Sequence, residues 1–300
     1  MALLYSLSEI RSPFLDSLAM FFTTIAQETV VIVVICAAYW CINKRAGVII
    51  AVTYFISGLL IQGLKITFRI DRPWVLDPTF EPVPEAIAGA TGYSFPSGHT
   101  QSGTALFGSL GFLSRKKSVL ALCCCMFFLV GMSRMVLGVH TPLDVFTAMA
   151  LTLLVCGLVT LWFSRNEGDD VKPLWLGVFA LFSIALTVYA LVLQNKGIIE
   201  PHYALDCIKT SGAGLGFAAG LLFEQRKINF ETATPKLWMQ PVKLALGLAV
   251  LIGLKLGFKA AFGQNAVAAF VSYFIIVIWI IALYPMIIKR FFTAKPDANA

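Results

Sequence analysis

Long apolar stretches recur along most of this chain, and no other feature constrains its fold as strongly. They run at about residues 46–68, 98–114, 118–133, 142–164, 174–194, 208–223, 241–260 and 266–288. In a bilayer, a helix of roughly 20 apolar residues satisfies all its backbone polar groups internally, which an open sheet cannot do. The expected fold is therefore all-α, a polytopic helical membrane protein. Composition agrees: 58% of the 300 residues are apolar and 13% charged, whereas a soluble chain carries about a quarter charged. An ordinary soluble enzyme is excluded.

Before the first long span, residues 3–27 interleave apolar positions with Ser6, Glu9, Arg11, Asp16 and Gln27, the pattern of an interfacial amphipathic helix. A short apolar run from Thr29 to Ile42 follows. The start, MALLYSLSEIRSPF, has no basic region leading into an apolar core with a small-residue cleavage site, so no cleaved signal peptide is expected. Of the seven cysteines, Cys36, Cys41, Cys123, Cys124, Cys125 and Cys156 lie inside apolar runs and Cys207 near a loop. Their spacing suits neither a metal site nor a disulfide framework, and they read as small apolar helix residues.

The 23 Lys+Arg against 16 Asp+Glu give a net charge of +7, which raises nucleic-acid binding until the charges are sorted by position. Lys44/Arg45, Arg115/Lys116/Lys117, Arg226/Lys227 and Lys289/Arg290 fall at alternate ends of successive spans, hence on one side. By the positive-inside rule that side is cytoplasmic. The basic excess is then a topology signal, and no nucleic-acid partner is expected. The loops 69–97, 134–141 and 195–207 face outward. In the first of these, Pro73, Pro78, Pro82, Pro84 and Pro96 forbid a continuous helix, and an irregular loop of that length points to function. The acidic link NEGDD, 166–170, reads as a solvated connection. Three regions are expected: 1–45, with the amphipathic helix and first short span; 46–164, a helical core that holds the long proline-rich loop; and 165–300, accessory transmembrane helices.

Three polar groups stand at outer span ends. In the first, Lys65, Arg69 and Arg72 recur at spacings of four and three residues and are expected on one helical face, until Pro73 ends the run. The cluster reads as an anion site or as snorkelling cations. The second is Pro96-Ser97-Gly98-His99. Ser97 is a good N-cap, Gly98 admits a ligand close to the backbone, and the helix start offers free N–H groups to an anion. His99 beside it is a candidate proton donor. The third runs from Ser133 and Arg134 to His140, Thr141, Pro142 and Asp144. Thr141 caps the next helix, Pro142 occupies its first position, and Asp144 in the first turn reaches back toward His140. A carboxylate on one ring nitrogen fixes the tautomer and frees the other as a nucleophile. Arg134 adds an anion-binding fork.

Taken in order, K-x6-RP (Lys65 to Pro73), PSGH (Pro96 to His99) and SR-x5-H-x3-D (Ser133 to Asp144) resemble the three-part signature of the type 2 phosphatidic acid phosphatase (PAP2) family, which also includes vanadium haloperoxidases. The resemblance covers about residues 46–160. It implies a PAP2-type helical bundle core with additional C-terminal helices. It further implies that His140 attacks phosphorus, Asp144 orients it, and His99 protonates the leaving oxygen and later activates water. Lys65, Arg72, Ser97, Gly98 and Arg134 would hold the phosphoryl oxygens, with no metal and no cofactor. Arg69 is not a signature position and is kept as a candidate headgroup contact.

An outer interfacial site favours a lipid phosphate or pyrophosphate over a soluble sugar phosphate. The candidates are phosphatidic acid, phosphatidylglycerophosphate, undecaprenyl-type pyrophosphate and sphingosine-type phosphate. The expected protein is thus a multi-pass cell-membrane phosphatase with an extracytoplasmic site. Two alternatives remain at this point: a phosphotransferase passing the group to a lipid or sugar acceptor, and a lipid transporter with charges along its pathway. His202, in the 195–207 loop, is either a lid element or a plain loop histidine. Gly212, Gly214, Gly216 and Gly220 suit either a supporting bundle or homo-oligomer formation.

Overall fold

The structure, a computed structural model, describes residues 1–114, 116–166, 170–263 and 265–293. Arg115 and residues 167–169 of the NEGDD link lie outside the described residues. All regular elements among the described residues are helical. In chain order they are α1 (Ala2–Glu9), α2 (Pro13–Ile25), α3 (Glu28–Ala37), α4 (Lys44–Phe68), α5 (Pro73–Leu76), α6 (Pro84–Ile87), α7 (Gly98–Leu113) and α8 (Lys117–Val136). There follow α9 (Pro142–Arg165), α10 (Pro173–Asn195), α11 (Pro201–Phe223), α12 (Met239–Phe262), α13 (Ala266–Ile278) and α14 (Tyr284–Phe291). Among the described residues, six segments are long and apolar enough to cross a membrane, and a seventh counts if α2 and α3, bent by 46°, make one broken span.

Two expected spans fall short of that standard. The stretch 98–114 folds as α7, only 16 residues, or about 24 Å against a hydrocarbon core of about 30 Å. It is buried among its neighbours instead of facing lipid. The stretch 208–223 belongs to α11, whose first turns carry His202, Asp206 and Lys209 and whose body is rich in glycine; both lower its hydropathy. The N-terminal region also differs from one interfacial helix over 3–27. Ser12 caps a new helix with Pro13 at its first position, and Leu4 is fully buried rather than lying on a surface.

The chain divides into two compact units. The first comprises residues 1–32, 49–167 and 190–207. At its centre α7 packs on α8 and α9, while α1 and α2 pack on α8. Small residues let α7 sit this deep: a Cβ at Gly103 would stand 2.9 Å from Val130 Cγ1, and one at Gly108 3.0 Å from Cys156 Sγ. One apolar cluster joins Leu4, Phe80, Phe127, Met135, Val145 and Met149. A second joins Ala19, Val83, Ala86, Leu137 and Val139. Both clusters tie the 69–97 loop to the helices that carry the polar motifs.

The second unit comprises residues 33–48, 168–189 and 208–300. Three π-helical turns lie in it: Ala38–Ile42, Glu224–Ile228 and Trp279–Leu283. The first meets the third through Trp40 Nε1, which donates to Ile280 O at 2.8 Å, and Tyr39 Oη, which donates to Ile281 O at 3.2 Å. Lys44 Nζ pairs with the buried Glu224 carboxylate at 2.8 Å. Gly212 and Gly216 lie against the α13 backbone at Phe270 and Phe274, and Gly220 against Ile281. These three glycines serve close packing inside the unit.

Candidate active site

The first unit gathers the three polar motifs at one end of its helices. The chain leaves α4 after Phe68, and Arg69 takes a left-handed conformation (φ 52°). Arg69 is exposed, and its Nη1 donates to Ile66 O at 3.3 Å. It is therefore not on the helical face of Lys65 that the spacing predicted. Arg72 regains the site from the loop. It is extended (φ −68°, ψ 153°) because Pro73 disfavours the helical conformation in the residue before it.

Arg72 is 6% exposed and nearly saturated. Its Nε donates to Gly92 O at 3.0 Å, its Nη2 to Thr91 O at 2.7 Å, and its Nη1 to Val139 O at 3.0 Å. The same Nη1 lies 2.9 Å from His140 Nε2. A guanidinium has five N–H donors and no acceptor, so Nε2 must present a lone pair there. The ring proton then sits on Nδ1, which faces Asp144 Oδ2 at 3.3 Å. Burial first, and then the positive charges of Arg72, Arg134 and Lys65, push the His140 imidazole well below its usual pKa. His140 is thus a neutral imidazole with one defined tautomer.

Asp144 owes its position to helix capping. Thr141 is the N-cap of α9 with Pro142 in the first turn, and Thr141 N donates to Asp144 Oδ2 at 2.7 Å, closing a capping box. Ser94 Oγ donates to the same oxygen at 2.6 Å. Ser94 was not among the residues singled out from sequence. It lies two positions before Pro96, and its role depends on a partner 50 residues away, which no local pattern announces.

At the start of α7, Ser97 is the N-cap; its Oγ accepts from Thr100 N at 3.4 Å and Thr100 Oγ1 at 2.9 Å. Ser97 N donates to Asp144 O at 3.1 Å, fastening this helix start to that of α9. Open space faces the side of Gly98 where a Cβ would be. His99, half-buried in the first turn, lies within electrostatic reach of Arg134, Arg72 and Lys65. Lys65 Nζ, buried, donates to Tyr93 O and, at 3.4 Å, to Ser94 O.

Arg134 differs from Arg72 in having donors to spare. It is 1% exposed; Nη1 donates to Thr23 Oγ1 at 2.6 Å, while Nε and Nη2 are buried without a partner. Each such orphan costs about 1–3 kcal/mol, a cost that an anion bound there would remove. The loop 91–94 that serves Arg72 and Lys65 is held from outside by the first turns of α11. Thr91 Oγ1 donates to Asp206 Oδ2 at 2.7 Å, and Tyr93 stacks on Tyr203 at 4.0 Å and 12°. His202 itself is exposed and paired with Glu200 at 3.3 Å, so this segment reaches the motif loop through Tyr203 and Asp206.

Fold and site together define a multi-pass helical membrane protein with a buried, cation-lined imidazole at one end of a helix bundle. The PAP2 superfamily model matches residues 46–168, and the model for the PAP2 superfamily phosphatase transmembrane extension matches residues 208–296. Together they cover more than half of the chain, which belongs to the PAP2 superfamily, as a membrane phosphatase. It is similar, at 25% identity, to a transmembrane PAP2-type phosphatidylglycerolphosphate phosphatase from Bacillus subtilis known from a crystal structure; the match covers 55% of this chain and 85% of that one, with a TM-score of 0.48. A comparison with curated proteins gave no match.

Proposed function

We propose that the protein hydrolyses a lipid phosphate or pyrophosphate at the extracytoplasmic face of a cell membrane, through a phosphohistidine on His140 and without a metal ion. The observation that carries this reading is the neutral His140 ring. Its Nδ1 faces Asp144 and its Nε2 lone pair faces the cations, with unpartnered Arg134 donors in the same cluster.

Lys65, Arg72, Arg134, the Ser97 hydroxyl and the Gly98 N–H bind the phosphoryl oxygens, supplying the positive field that develops its value as charge shifts in the transition state. His140 Nε2 attacks phosphorus, and the bond to the leaving oxygen breaks. His99 gives that oxygen a proton. The Nδ1–H toward Asp144 stabilises the ring as it becomes cationic. In the second half, neutral His99 takes a proton from water, whose oxygen attacks the phosphohistidine; phosphate leaves and both rings return to their starting states. The outward orientation is supported by the basic residues Lys44/Arg45 at the start of α4 and Lys116/Lys117 at the start of α8, the ends opposite those that carry Lys65 and Arg134. A site at that level lets a headgroup enter while its tails stay in the bilayer. Phosphatidic acid, phosphatidylglycerophosphate, polyprenyl pyrophosphates and sphingoid-base phosphates all meet that requirement.

The test is phosphate release by the purified protein in detergent across this lipid panel, with His140→Ala as control. Release by wild type and none by the variant supports the reading; equal release by both overturns it.

A further inference from the structure

Helix α2 lies outside both segments matched by the family models, yet it touches the site. Its buried residues are Ala19 and Thr23, one helical turn apart on the face that packs against α8. Alanine suits such a face. A hydroxyl does not, because burying one is unfavourable unless it is hydrogen-bonded. Thr23 is 2% exposed, and its Oγ1 accepts the 2.6 Å hydrogen bond from Arg134 Nη1. It also stands in the last turn of α2, where the helix carbonyl end favours a cation.

This single contact determines which donors of Arg134 remain. With Nη1 engaged and the side chain 1% exposed, Nε and Nη2 are left without partners. The backbone on the far side of Arg134 is held by the same N-terminal segment. Arg11 Nε donates to Val136 O at 2.8 Å and its Nη1 to Glu81 O at 2.8 Å, while the guanidinium lies over the Phe80 ring. Arg134 is thereby gripped at its tip by Thr23 and at its helix end by Arg11.

We infer that Thr23 is a positioning residue for phosphoryl binding: its hydroxyl locks the Arg134 guanidinium so that Nε and Nη2 face the anion. The inference rests on Arg134 being a phosphoryl ligand, as proposed above. Without the lock, the guanidinium keeps its charge but samples other rotamers, and the pair of donors is no longer preset.

The experiment is inhibition by orthovanadate, a phosphate-like anion, measured with KM, kcat and thermal unfolding for wild type, Thr23→Val, Thr23→Ser, Arg134→Ala and the double variant Thr23→Val/Arg134→Ala. Thr23→Val keeps the shape and removes the hydroxyl. It is expected to weaken vanadate inhibition and raise KM by about tenfold, the effect of one hydrogen bond to a charged group, with unfolding little changed. Thr23→Ser should restore both to within about twofold. In the Arg134→Ala background, Thr23→Val should add nothing, since its effect runs through that side chain. Unchanged vanadate inhibition in Thr23→Val overturns the inference, as does an equal loss in the Arg134→Ala background. If Arg134→Ala itself leaves vanadate inhibition intact, Arg134 is not a ligand and both readings fall; if Arg134→Ala is impaired and Thr23→Val is not, only the inference does.

Discussion

Arg72 Nη1 sits 2.9 Å from His140 Nε2, so the lone pair proposed to attack phosphorus is covered at rest by an N–H of the residue proposed to bind it. Four of the five Arg72 N–H donors are taken, three by the carbonyls of Thr91, Gly92 and Val139 and one by the ring. An incoming phosphoryl oxygen has two Arg72 donors to take: the fifth N–H, on Nη2, and the Nη1 N–H that points at the His140 lone pair. Capturing the second uncovers the nucleophile as the substrate arrives. Lysine cannot reproduce the fork to Thr91 and Gly92. Arg72→Lys should therefore lower kcat/KM by about 100-fold or more although charge is kept, and near-normal kinetics would show the fork to be dispensable.

The pH profile follows from the His140 environment. Its pKa is depressed by burial and by neighbouring positive charge, and the form proposed to attack is the neutral ring, so its contribution is lost as pH falls through that lowered value. The acid limb of kcat/KM should lie below about pH 6.5, the value of a free imidazole. Arg134→Gln removes one of the charges, raises the His140 pKa and should move the limb toward neutrality. A limb that stays in place, followed by stopped assays across the acid range, would mean that another group controls it.

Ser94 and Asp144 can be separated by mutation. Ser94→Ala removes one donor from the Asp144 carboxylate and should reduce kcat by about tenfold while leaving a trappable phosphoenzyme. Asp144→Asn keeps an acceptor for Thr141 N but no longer holds the ring tautomer; a loss on the order of 10³–10⁴ in kcat is expected. Rapid acid quench with labelled substrate distinguishes the two, since the slow variant accumulates little intermediate.

His99 is assigned to the leaving group, and the signature of that role is selectivity. His99→Ala should impair alkyl and lipid phosphates far more than activated aryl phosphates, whose leaving oxygens need little proton assistance. Equal losses on both classes would argue against it.

The depth of α7 gives a stability test remote from chemistry. Gly103 lies against Val130 and Ala26, so Gly103→Leu overpacks the α7–α8–α2 contact and should destabilise by about 1–3 kcal/mol. Thermal unfolding in detergent reads the loss directly.

Features that were legible in the sequence are local ones. Thr141, Pro142 and Asp144 announce a helix start within four residues, and Ser97 does the same for α7. The spacing of Lys65, Arg69 and Arg72 misled because it assumes that the helix continues, whereas α4 ends at Phe68 and Arg69 turns left-handed. The apolar count over 98–114 overstated α7 as a span for a related reason: glycine and alanine there mark helix-to-helix contact, not lipid contact. Ser94 and Thr23 were not legible at all. Each acts on a side chain 50 to 111 residues away, and nothing in their own neighbourhoods distinguishes them from ordinary loop or helix hydroxyls.

The Asp144 carboxylate oxygen that closes the capping box of α9 is the same oxygen that faces His140. Nucleating that helix and arming the imidazole are therefore one event during biogenesis. While α9 is unformed, the Asp144 carboxylate is not held against the ring, and no contact presets the histidine tautomer. On the mechanism proposed above, catalytic competence then waits for the finished helix start, and a partly inserted chain exposes no ready site to the lipids around it.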